Sequence, residues 1–340
     1  MTRVTLRHIA DRLGVSTATV SLAMRDHERI SLKTRERVKA ALEESGYVYG
    51  RSAAILRTST THTVGVILNN VSDPFFSALL ATLEDALAKT GRTVFLCNTN
   101  ESCERQADFI RKMAEYNADG IIVSPAIGST AEHFLPRHVP MPPLVFVSRA
   151  LTGSTFDHVI NDDHEASRLA TDRLLGLGHR RIAVVGGDPG ARPFGERLRA
   201  HRSALEQASV AFDYSLVRPC LPSRIEGFAA ARWIAALEPR PTAAICYNDS
   251  VALGLFHGLV QEGLSPGRDF ALIGHEDIEE ASLVSPPISA TRVSRDEMGR
   301  RAATLLLERI ENPGRPPQRI VLETELIVRG TCGVKADPAP

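Results

Sequence analysis

Apolar residues recur with helical spacing in three short segments of the first 46 residues. In the first segment they follow the i, i+3, i+4, i+7 pattern of an amphipathic helix: Leu6, Ile9, Ala10 and Leu13. Thr5 is placed to cap the start of this helix with its hydroxyl. Gly14 is placed to end it, because glycine readily takes the left-handed conformation of a helix C-terminus. The pattern therefore predicts one short helix between Thr5 and Gly14.

Two further helices are predicted by the segments that follow. Ser16 can cap the second, which carries small and apolar side chains at Ala18, Val20, Ser21, Leu22 and Met24. The third begins near Ser31, ends at Gly46 and has a buried face formed by Val38, Ala41 and Leu42. Two helices joined at a tight glycine turn and steadied by a third form a DNA-binding helix-turn-helix. The alternative is a small helical bundle that only packs.

In a helix-turn-helix the second helix enters the major groove with its N-terminal side chains at the base edges. Thr17 and Ala18 occupy that leading edge, and Leu22 lies one turn further along the same face. Thr17 can bond a base or touch a thymine methyl, whereas Ala18 and Leu22 can make only apolar contacts. We therefore expect an unusually apolar base-reading edge.

The charge distribution is consistent with this interpretation. Residues 1–60 carry eleven Lys/Arg and six Asp/Glu, a net charge of +5, so the remaining residues, with 29 and 34, carry −5. A basic segment on an acidic body is typical of a protein that binds a polyanion. The residues placed to hold phosphates are Thr5, Ser16, Thr19, Ser21, Arg25, Arg29 and Thr34.

From Thr63 onward, short β-branched runs alternate with helical patterns. The runs cover residues 64–68, 94–96, 120–123 and 144–147, and then 182–185, 243–246 and 270–273. Continuous apolar strands separated by helices predict open parallel sheets covered on both faces. Two such series predict two doubly wound α/β lobes behind an all-α head. Ligands of such sheets bind where the loops at the strand carboxyl ends converge.

Cysteine usage and hydropathy limit the other possibilities. The five cysteines are scattered and odd in number, which argues against a disulfide framework or a zinc site. The polar start is unlike a secretory signal, and no run of about eighteen apolar residues occurs. We therefore expect a cytoplasmic protein with no metal, no cofactor and no membrane partner.

The N-terminal segment resembles the signature of the LacI/GalR family of bacterial regulators. The resemblance covers VTLRHIADRLGVSTATVSLAMRDHERISLKTRERVKAALEESGY. It implies a DNA-binding domain over residues 1–49 and a hinge over 50–61 that becomes helical on specific DNA. In the hinge, Leu56 falls on the position of the side chain that wedges a base step open, and Ala53 would allow two hinge helices to pair closely. Inserting such a wedge costs unstacking energy, which the bent DNA offsets with added protein contacts.

The resemblance continues through the body to about residue 332. The matching blocks are VGVILNNVSDPFF, ADGIIVSP, HVINDDHEASRLATDRLLGLGHRRIAVVGG, AAICYNDSVALG, FALIGHEDI, SPPISATRV and ELIVRGT. They imply the fold of periplasmic sugar-binding proteins over residues 62–334, with chain crossings near Asn161, Thr291 and Glu323. The N-lobe is then expected over about 62–160 and 292–322, and the C-lobe over about 161–290 and 323–332.

The positions of the loops and the resemblance to the family together predict the effector-binding residues. They are Asp73, Phe75, Phe76, Ser124, Ser148, Arg149, Arg197, Asn248 and Glu276. One of the two phenylalanines is expected to face the core and the other the ligand. Arginines and carboxylates in a cleft suit a ligand rich in hydroxyls or acidic groups. Ser148 and Glu276 each replace an Asp that is common in the family, so no relative's effector can be assumed.

These observations predict a repressor, not an enzyme, that acts as a homodimer on a palindromic double-stranded operator. A small molecule, expected to be a carbohydrate, would control its affinity for DNA, and pairing of dimers into tetramers stays open. An enzyme is disfavoured because neither GxGxxG nor GxxxxGK[ST] occurs. An exported solute-binding protein would have no use for the head. A phosphocarrier protein as co-effector remains an alternative.

Overall fold

A computed structural model describes residues 4–24, 26–47, 60–134, 141–151 and 153–332. The chain divides into two compact units, Met1–Thr61 and His62–Pro340. The hinge that the sequence predicts at 50–61 lies outside the described residues except for Thr60 and Thr61.

The first unit, called the head below, contains the three predicted helices: α1 (Leu6–Leu13), α2 (Thr17–Ala23) and α3 (Leu32–Glu44). Their caps are also the predicted ones, since the hydroxyls of Thr5, Ser16 and Ser31 each accept a backbone N–H in the first turn. Gly14 ends α1 with a φ of 67°, a left-handed conformation that costs glycine little. Local chemistry therefore sets the boundaries of these helices.

Small and branched side chains form the core of the head. Its buried members are Ile9, Ala10, Val20, Ala23, Val38 and Ala41. Val38 and Ala41 are buried as predicted, while Leu42 is half-buried at the edge of the cluster. The alanines let the helices approach closely, so the six buried residues found in the described part of the head pack against all three helices.

The second unit, called the body, contains two six-stranded sheets. The N-lobe sheet is built from β1 (Thr63–Leu68), β2 (Thr93–Asn98), β3 (Gly120–Val123), β4 (Leu144–Val147), β5 (Asp157–Asn161) and β11 (Arg319–Leu322). Its order is β11-β5-β4-β3-β1-β2, and every pair is parallel. The helices of this lobe are α4 (Pro74–Ala88), α5 (Cys103–Glu115) and α11 (Arg295–Glu311).

The C-lobe sheet repeats this plan with one difference. Its strands are β6 (Ile182–Val185), β7 (Val217–Arg218), β8 (Ala243–Cys246), β9 (Ala271–Glu276), β10 (Ser289–Arg292) and β12 (Glu325–Ile327). The order is β12-β10-β9-β8-β6-β7, and only the β10–β12 pair is antiparallel. Its helices are α6 (Asp163–Gly176), α7 (Arg192–Gln207), α8 (Arg224–Ala236), α9 (Asp249–Gln261) and α10 (Glu279–Leu283). Three short 3-10 helices are Ala131–Phe134, Tyr214–Leu216 and Gly330–Cys332.

The predicted fold class is confirmed, and the strands that the sequence missed have a physical reason. β7 has only two residues, and β5, β10, β11 and β12 lack a long β-branched run. The chain passes between the lobes three times, after Asn161, after Arg292 and after Leu322. Apolar residues cover both faces of each sheet, as parallel sheets require.

Helices α8 and α9 pack with their backbones almost in contact. A Cβ built on Gly254 would lie 2.0 Å from the carbonyl oxygen of Arg224, and one on Gly227 would lie 2.2 Å from that of Val251. Backbone atoms cannot move aside as a flexible side chain can. Glycine at these positions is therefore a packing requirement of the C-lobe.

We predict that Gly254→Ala lowers the free energy of unfolding by at least about 2 kcal/mol, because the added methyl forces α8 and α9 apart. The matched control is Gly195→Ala in α7, where a Cβ would meet nothing within 4 Å. That change should be neutral or stabilise by up to about 1 kcal/mol. Urea unfolding followed by circular dichroism measures both, and equal effects would contradict the packing argument.

Candidate functional site

The predicted base-reading edge lies at the start of α2. Thr17 and Ala18 are exposed in its first turn. Leu22 is half-buried but does not belong to the core cluster of the head. An apolar side chain on a small domain's surface, outside the core, is available for contact with another molecule. The geometry thus leaves all three side chains free to approach base edges.

The hydroxyls expected to hold phosphates have a second role in the head. Thr5 and Ser16 accept helix N–H groups as caps, and Thr34 and Thr19 each lie 2.9 Å from a capping serine hydroxyl. A hydroxyl that accepts one bond still carries a hydrogen to donate. Ser21 is half-buried and Arg29 is exposed. Three other predicted DNA contacts, Arg25, Ala53 and Leu56, lie outside the described residues.

In the body, eight of the nine predicted effector residues line one narrow pocket between the lobes, with a volume of about 60 Å³. From the N-lobe come Asp73, Phe75, Phe76, Ser148 and Arg149, and from the C-lobe come Arg197, Asn248 and Glu276. The loops at the strand ends and the helices that follow them supply these residues. The convergence of loops at the carboxyl ends of the strands therefore brings together residues as far as 203 positions apart in the chain.

Ser124 is the exception, because it lies outside this pocket and its role in effector binding stays a prediction. Its backbone N–H donates to the carbonyl of Ile67, so the residue continues the sheet beyond β3 instead of entering a loop. Its side chain is fully buried and does not line the pocket. A position directly after a predicted strand therefore does not place a side chain in the pocket when the hydrogen bonding of the sheet continues through that residue.

The two phenylalanines do not divide between core and ligand as expected. Phe75 and Phe76 pack edge to face, with ring centroids 5.2 Å apart and planes at 78°. Both are buried in the N-lobe core cluster, and both border the pocket. They form a shared apolar wall, which suits the flat face of a ligand ring.

Sequence reasoning missed nine residues that line the pocket. They are Asn69, Asn70, Glu101, Asn161, Asp163, Pro193, Pro222, Tyr247 and His275. Several could have been found from position alone, because Asn69 and Asn70 follow β1 directly and Tyr247 follows β8. Glu101 and Asp163 give no such signal, since a lone carboxylate in a loop or at a helix start is ordinary.

Arg149 is held by a carboxylate of its own lobe. Its guanidinium donates to Glu101 at 2.9 Å and also to the carbonyl of Pro125 at 3.2 Å. Glu101 in turn accepts from the Asn69 side chain at 3.1 Å and from the N–H of Ile127 at 2.9 Å. This network fixes Arg149 on the N-lobe side of the pocket.

Arg197 is held in the same way by the C-lobe. Its Nε and Nη2 donate to one carboxylate oxygen of Asp163, at 2.9 and 2.7 Å, and its Nη1 donates to the carbonyl of Tyr247. The guanidinium carbon also lies 4.7 Å from the centre of the Tyr247 ring, a cation–π contact. Both pocket arginines therefore have their own anionic partner.

The side chains of Asn248 and Asp73 meet across the pocket. The Asn248 amide donates to the Asp73 carboxylate at 3.0 Å, which joins the C-lobe to the N-lobe. Each residue also caps a helix, since Asp73 accepts from Phe75 N–H and Asn248 accepts from Val251 N–H, both at 2.9 Å. Helix capping thus orients the two side chains that meet across the cleft.

The acidic groups around Glu276 lie in an unfavourable electrostatic environment. Burial, together with the negative charges of Asp73 and Asp249, raises the pKa of Glu276 well above its ordinary value. Burial also raises the pKa of Asp249, to about 7. Burial and the charge of Arg197 lower the pKa of His275, which is therefore neutral near pH 7. Glu276 has a φ of 109°, a backbone conformation that costs energy for a residue with a side chain.

Two further findings concern other classes of site. Within the described residues, no three His, Cys, Asp or Glu side chains are grouped so as to hold a metal ion. No helix in the described part of the chain is long and apolar enough to cross a membrane.

Comparison with known proteins gives two family matches. Residues 5–49 match the model described as bacterial regulatory proteins, lacI family. Residues 171–332 match the model of a periplasmic binding protein-like domain. The matched regions correspond to the head and to the larger part of the body.

Similar proteins cover nearly the whole chain. The HTH-type transcriptional repressor PurR of Vibrio campbellii is 32% identical over 331 residues, covering 96% of this chain and 98% of its own. The maltose regulon regulatory protein MalI of Escherichia coli is 29% identical, with the same coverage. Among solved structures, the lac repressor dimer bound to operator superposes with a TM-score of 0.87 at 22% identity, covering 97% of this chain and 99% of that one.

A second solved structure carries a ligand in its name. The transcriptional regulator CelR in complex with cellobiose is 29% identical, with a TM-score of 0.69, and the alignment covers 97% of this chain and all of that one. The family match of the head, the family match of the body and the similarity of nearly the whole chain to transcriptional repressors all indicate the same family. The chain therefore belongs to the lacI family of bacterial regulatory proteins and is a DNA-binding transcriptional regulator.

Proposed function

We propose that this regulator is a repressor that binds an inverted-repeat operator as a homodimer. A small hydroxyl-rich molecule such as a carbohydrate then raises or lowers its affinity for the operator. The observation that carries the proposal is the pocket between the lobes. Polar side chains from both lobes meet there, and the hydrogen bond from Asn248 to Asp73 joins the two lobes. A molecule that binds between the lobes changes their separation, and we assign no catalytic step to this site.

The division of the chain follows from this role. We assign residues 1–49 to DNA reading, 50–61 to a hinge, and 62–334 to ligand binding and dimerisation. The N-lobe then comprises about 62–160 and 292–322, and the C-lobe about 161–290 and 323–332. A repressor of chromosomal genes works in the bacterial cytoplasm. The hinge residues Ala53 and Leu56 keep their proposed role in opening a base step.

A carbohydrate ligand fits the chemistry of the pocket. Sugar hydroxyls bond well to carboxylates and amides, and an aromatic wall packs against the apolar face of a sugar ring. Asp73 and Asn248 supply the polar groups, and Phe75 and Phe76 supply the wall. The name of CelR, a relative at 29% identity, states that it was solved with cellobiose, which supports this class of ligand.

Dimerisation is supported by apolar side chains left exposed on the C-lobe. On and around α8, α9 and α10 these are Leu221, Ile225, Phe228, Val260 and Leu283, the C-lobe apolar face. Ile225 is 80% exposed and Leu283 is 73% exposed. Apolar side chains on adjacent packed helices indicate a protein interface, and the proposed occupant is a second copy.

The first prediction concerns DNA reading. Leu22→Ala should weaken binding to an operator duplex selected from a random pool by about tenfold or more. A lost base contact costs about 1–3 kcal/mol, and a dimer loses two such contacts. Binding to random duplex should not change. Leu32→Ala, the same substitution at a 67% exposed site on α3, is the control. Fluorescence anisotropy on a duplex chosen from a random pool measures both variants, and a pool that yields no inverted repeat would refute the dimeric operator.

The second prediction concerns the dimer. Ile225→Asp should convert the dimer to a monomer without unfolding it, because a charge buried in an apolar interface has no partner. The control is Val321→Asp, at a 52% exposed site on β11. Analytical ultracentrifugation gives the mass of each variant. A dimeric Ile225→Asp protein would show that another surface joins the subunits.

The third prediction concerns control by the ligand. A compound found by thermal shift must change the affinity of the protein for operator DNA by a certain factor. Operator DNA must then change the affinity of the protein for the compound by the same factor, because linkage is reciprocal. Titration calorimetry with and without operator measures one factor, and anisotropy with and without compound measures the other. A tightly bound compound that leaves operator affinity unaltered would be incompatible with the proposed function.

A further inference from the structure

The two arginines of the pocket are already neutralised. Arg149 is paired with Glu101 and Arg197 with Asp163, each within its own lobe. The side chains of both arginines are largely buried, with 12% and 15% exposed. A phosphate or carboxylate of a ligand would place a second negative charge beside Glu101 or Asp163, so the attraction of each arginine for it is largely offset. Neither arginine of the pocket is therefore without an anionic partner.

Two carboxylates in the same pocket, Asp73 and Glu276, form no ion pair within the part of the chain that the structure describes. Asp73 accepts from two uncharged donors, Phe75 N–H and the Asn248 amide, and burial raises its pKa although the charges of Arg224 and Arg295 act to lower it. Glu276 forms no ion pair with any residue that the structure describes. The charged or titratable groups that act on Glu276 are Asp73, Asp249, Arg197 and Arg295, with neutral His275 next to it in the chain. The negative charges dominate this set.

Several buried acceptors of the pocket are also unused. Within the described residues, Asn69 Oδ1, Asn161 Oδ1 and His275 Nε2 have no hydrogen-bond partner. All three residues line the pocket and are more than nine-tenths buried. His275 Nδ1 is bonded to Thr291 Oγ1, so when that nitrogen carries the proton, Nε2 is an acceptor. Buried polar atoms without partners cost free energy unless a ligand satisfies them.

The unused amide oxygens of Asn69 and Asn161 accept hydrogen bonds, and a donor that also carries positive charge suits both these oxygens and the two carboxylates. A primary ammonium supplies three N–H donors and a full positive charge. The aromatic rings of Phe75, Phe76 and Tyr247 also border the pocket, and aromatic faces attract cations. Neutral hydroxyls would satisfy the acceptors but would not favour the ionised forms of Asp73 and Glu276, whereas an ammonium would stabilise both carboxylates by its charge.

We infer that this pocket selects a hydroxyl-rich molecule that carries a protonated amino group, such as an amino sugar, and discriminates against acidic sugars and sugar phosphates. The ammonium lies between Asp73 of the N-lobe and Glu276 of the C-lobe. This inference rests on the proposed function, because it names the class of ligand for the same site. A neighbouring cavity of about 490 Å³ shares six lining residues with this pocket and gives room for the rest of the ligand. Binding of the ammonium to Asp73 replaces the Asn248–Asp73 bond, which exposes the Asp73 carboxylate to the ligand.

The first experiment compares charge-matched ligands on the intact protein. The probes are glucose, glucosamine and glucuronic acid, and the same three forms of galactose, at about pH 6.5, where the amino group is protonated. An amino form should give the largest rise in Tm and the lowest Kd by calorimetry, at least about tenfold below its neutral form. The acid forms should bind no better than the neutral ones. Binding by an acid or neutral form ahead of both amino forms, or by no amino form, overturns the inference.

The second experiment tests the uncompensated charge without any ligand. Glu276→Gln removes the charge and keeps the shape of the side chain. Because the folded state raises the pKa of this carboxyl, ionisation destabilises the fold progressively as pH rises above the ordinary value for glutamate. The variant should therefore have a Tm about 2 °C or more above the parent at about pH 8, and a smaller gain at about pH 5. It should also lose the preference for amino over neutral sugars.

The matched control is Glu101→Gln, which removes the partner of buried Arg149 and should lower the Tm at both pH values. If Glu276→Gln lowers the Tm as Glu101→Gln does, Glu276 has a compensating partner and the inference fails. The proposed function fails separately. An amino sugar that binds but leaves operator affinity unaltered supports the ligand class and refutes the control of DNA binding. If only a neutral or acidic sugar releases the operator, the proposed control of DNA binding is supported and the inferred class of ligand is refuted.

Discussion

Parallel strands all end at one edge of their sheet, and this constraint organises the body of the protein. The N-lobe sheet is wholly parallel, and the C-lobe sheet is parallel except for β10 with β12. Loops that follow β1, β2 and β4 therefore meet the loop that follows β8 and the end of β9 across one pocket. The three chain crossings keep these edges facing each other, so residues far apart in sequence act together.

The pocket distributes its charges so that the lobes can separate. Each arginine is paired within its own lobe, and breaking such a buried pair would cost several kcal/mol, on the order of 3–5. One contact across the cleft is the hydrogen bond between Asn248 and Asp73, which contributes about 1–3 kcal/mol, and the Arg149 guanidinium also interacts with Tyr247 of the other lobe. Opening therefore breaks these contacts and leaves the two ion pairs intact. The difference suits a sensor, because a ligand of moderate affinity supplies enough free energy to move the lobes.

Short-range rules predicted more of the head than of the body. Thr5, Ser16, Ser31 and Gly14 mark helix ends by local hydrogen bonding or φ, and local chemistry is readable from sequence. In the pocket, the resemblance and the position of residues at strand ends located eight residues, whereas Ser124 lies outside the pocket because its N–H continues the sheet. Glu101 and Asp163 were missed because their importance comes from the arginines that they face.

The sequence by itself determined the class of protein, the three helices of the head, the alternation of strand and helix in the body, and the types of side chain at the strand ends. These follow from periodicity, capping and resemblance, which depend on near neighbours in the chain. Only the tertiary structure decided which charges are paired. The sequence allowed Arg149 and Arg197 to bind an acidic ligand, whereas in the folded chain both are neutralised by Glu101 and Asp163. Charge balance in a buried site depends on distance in space, and that distance is set by packing of the whole body.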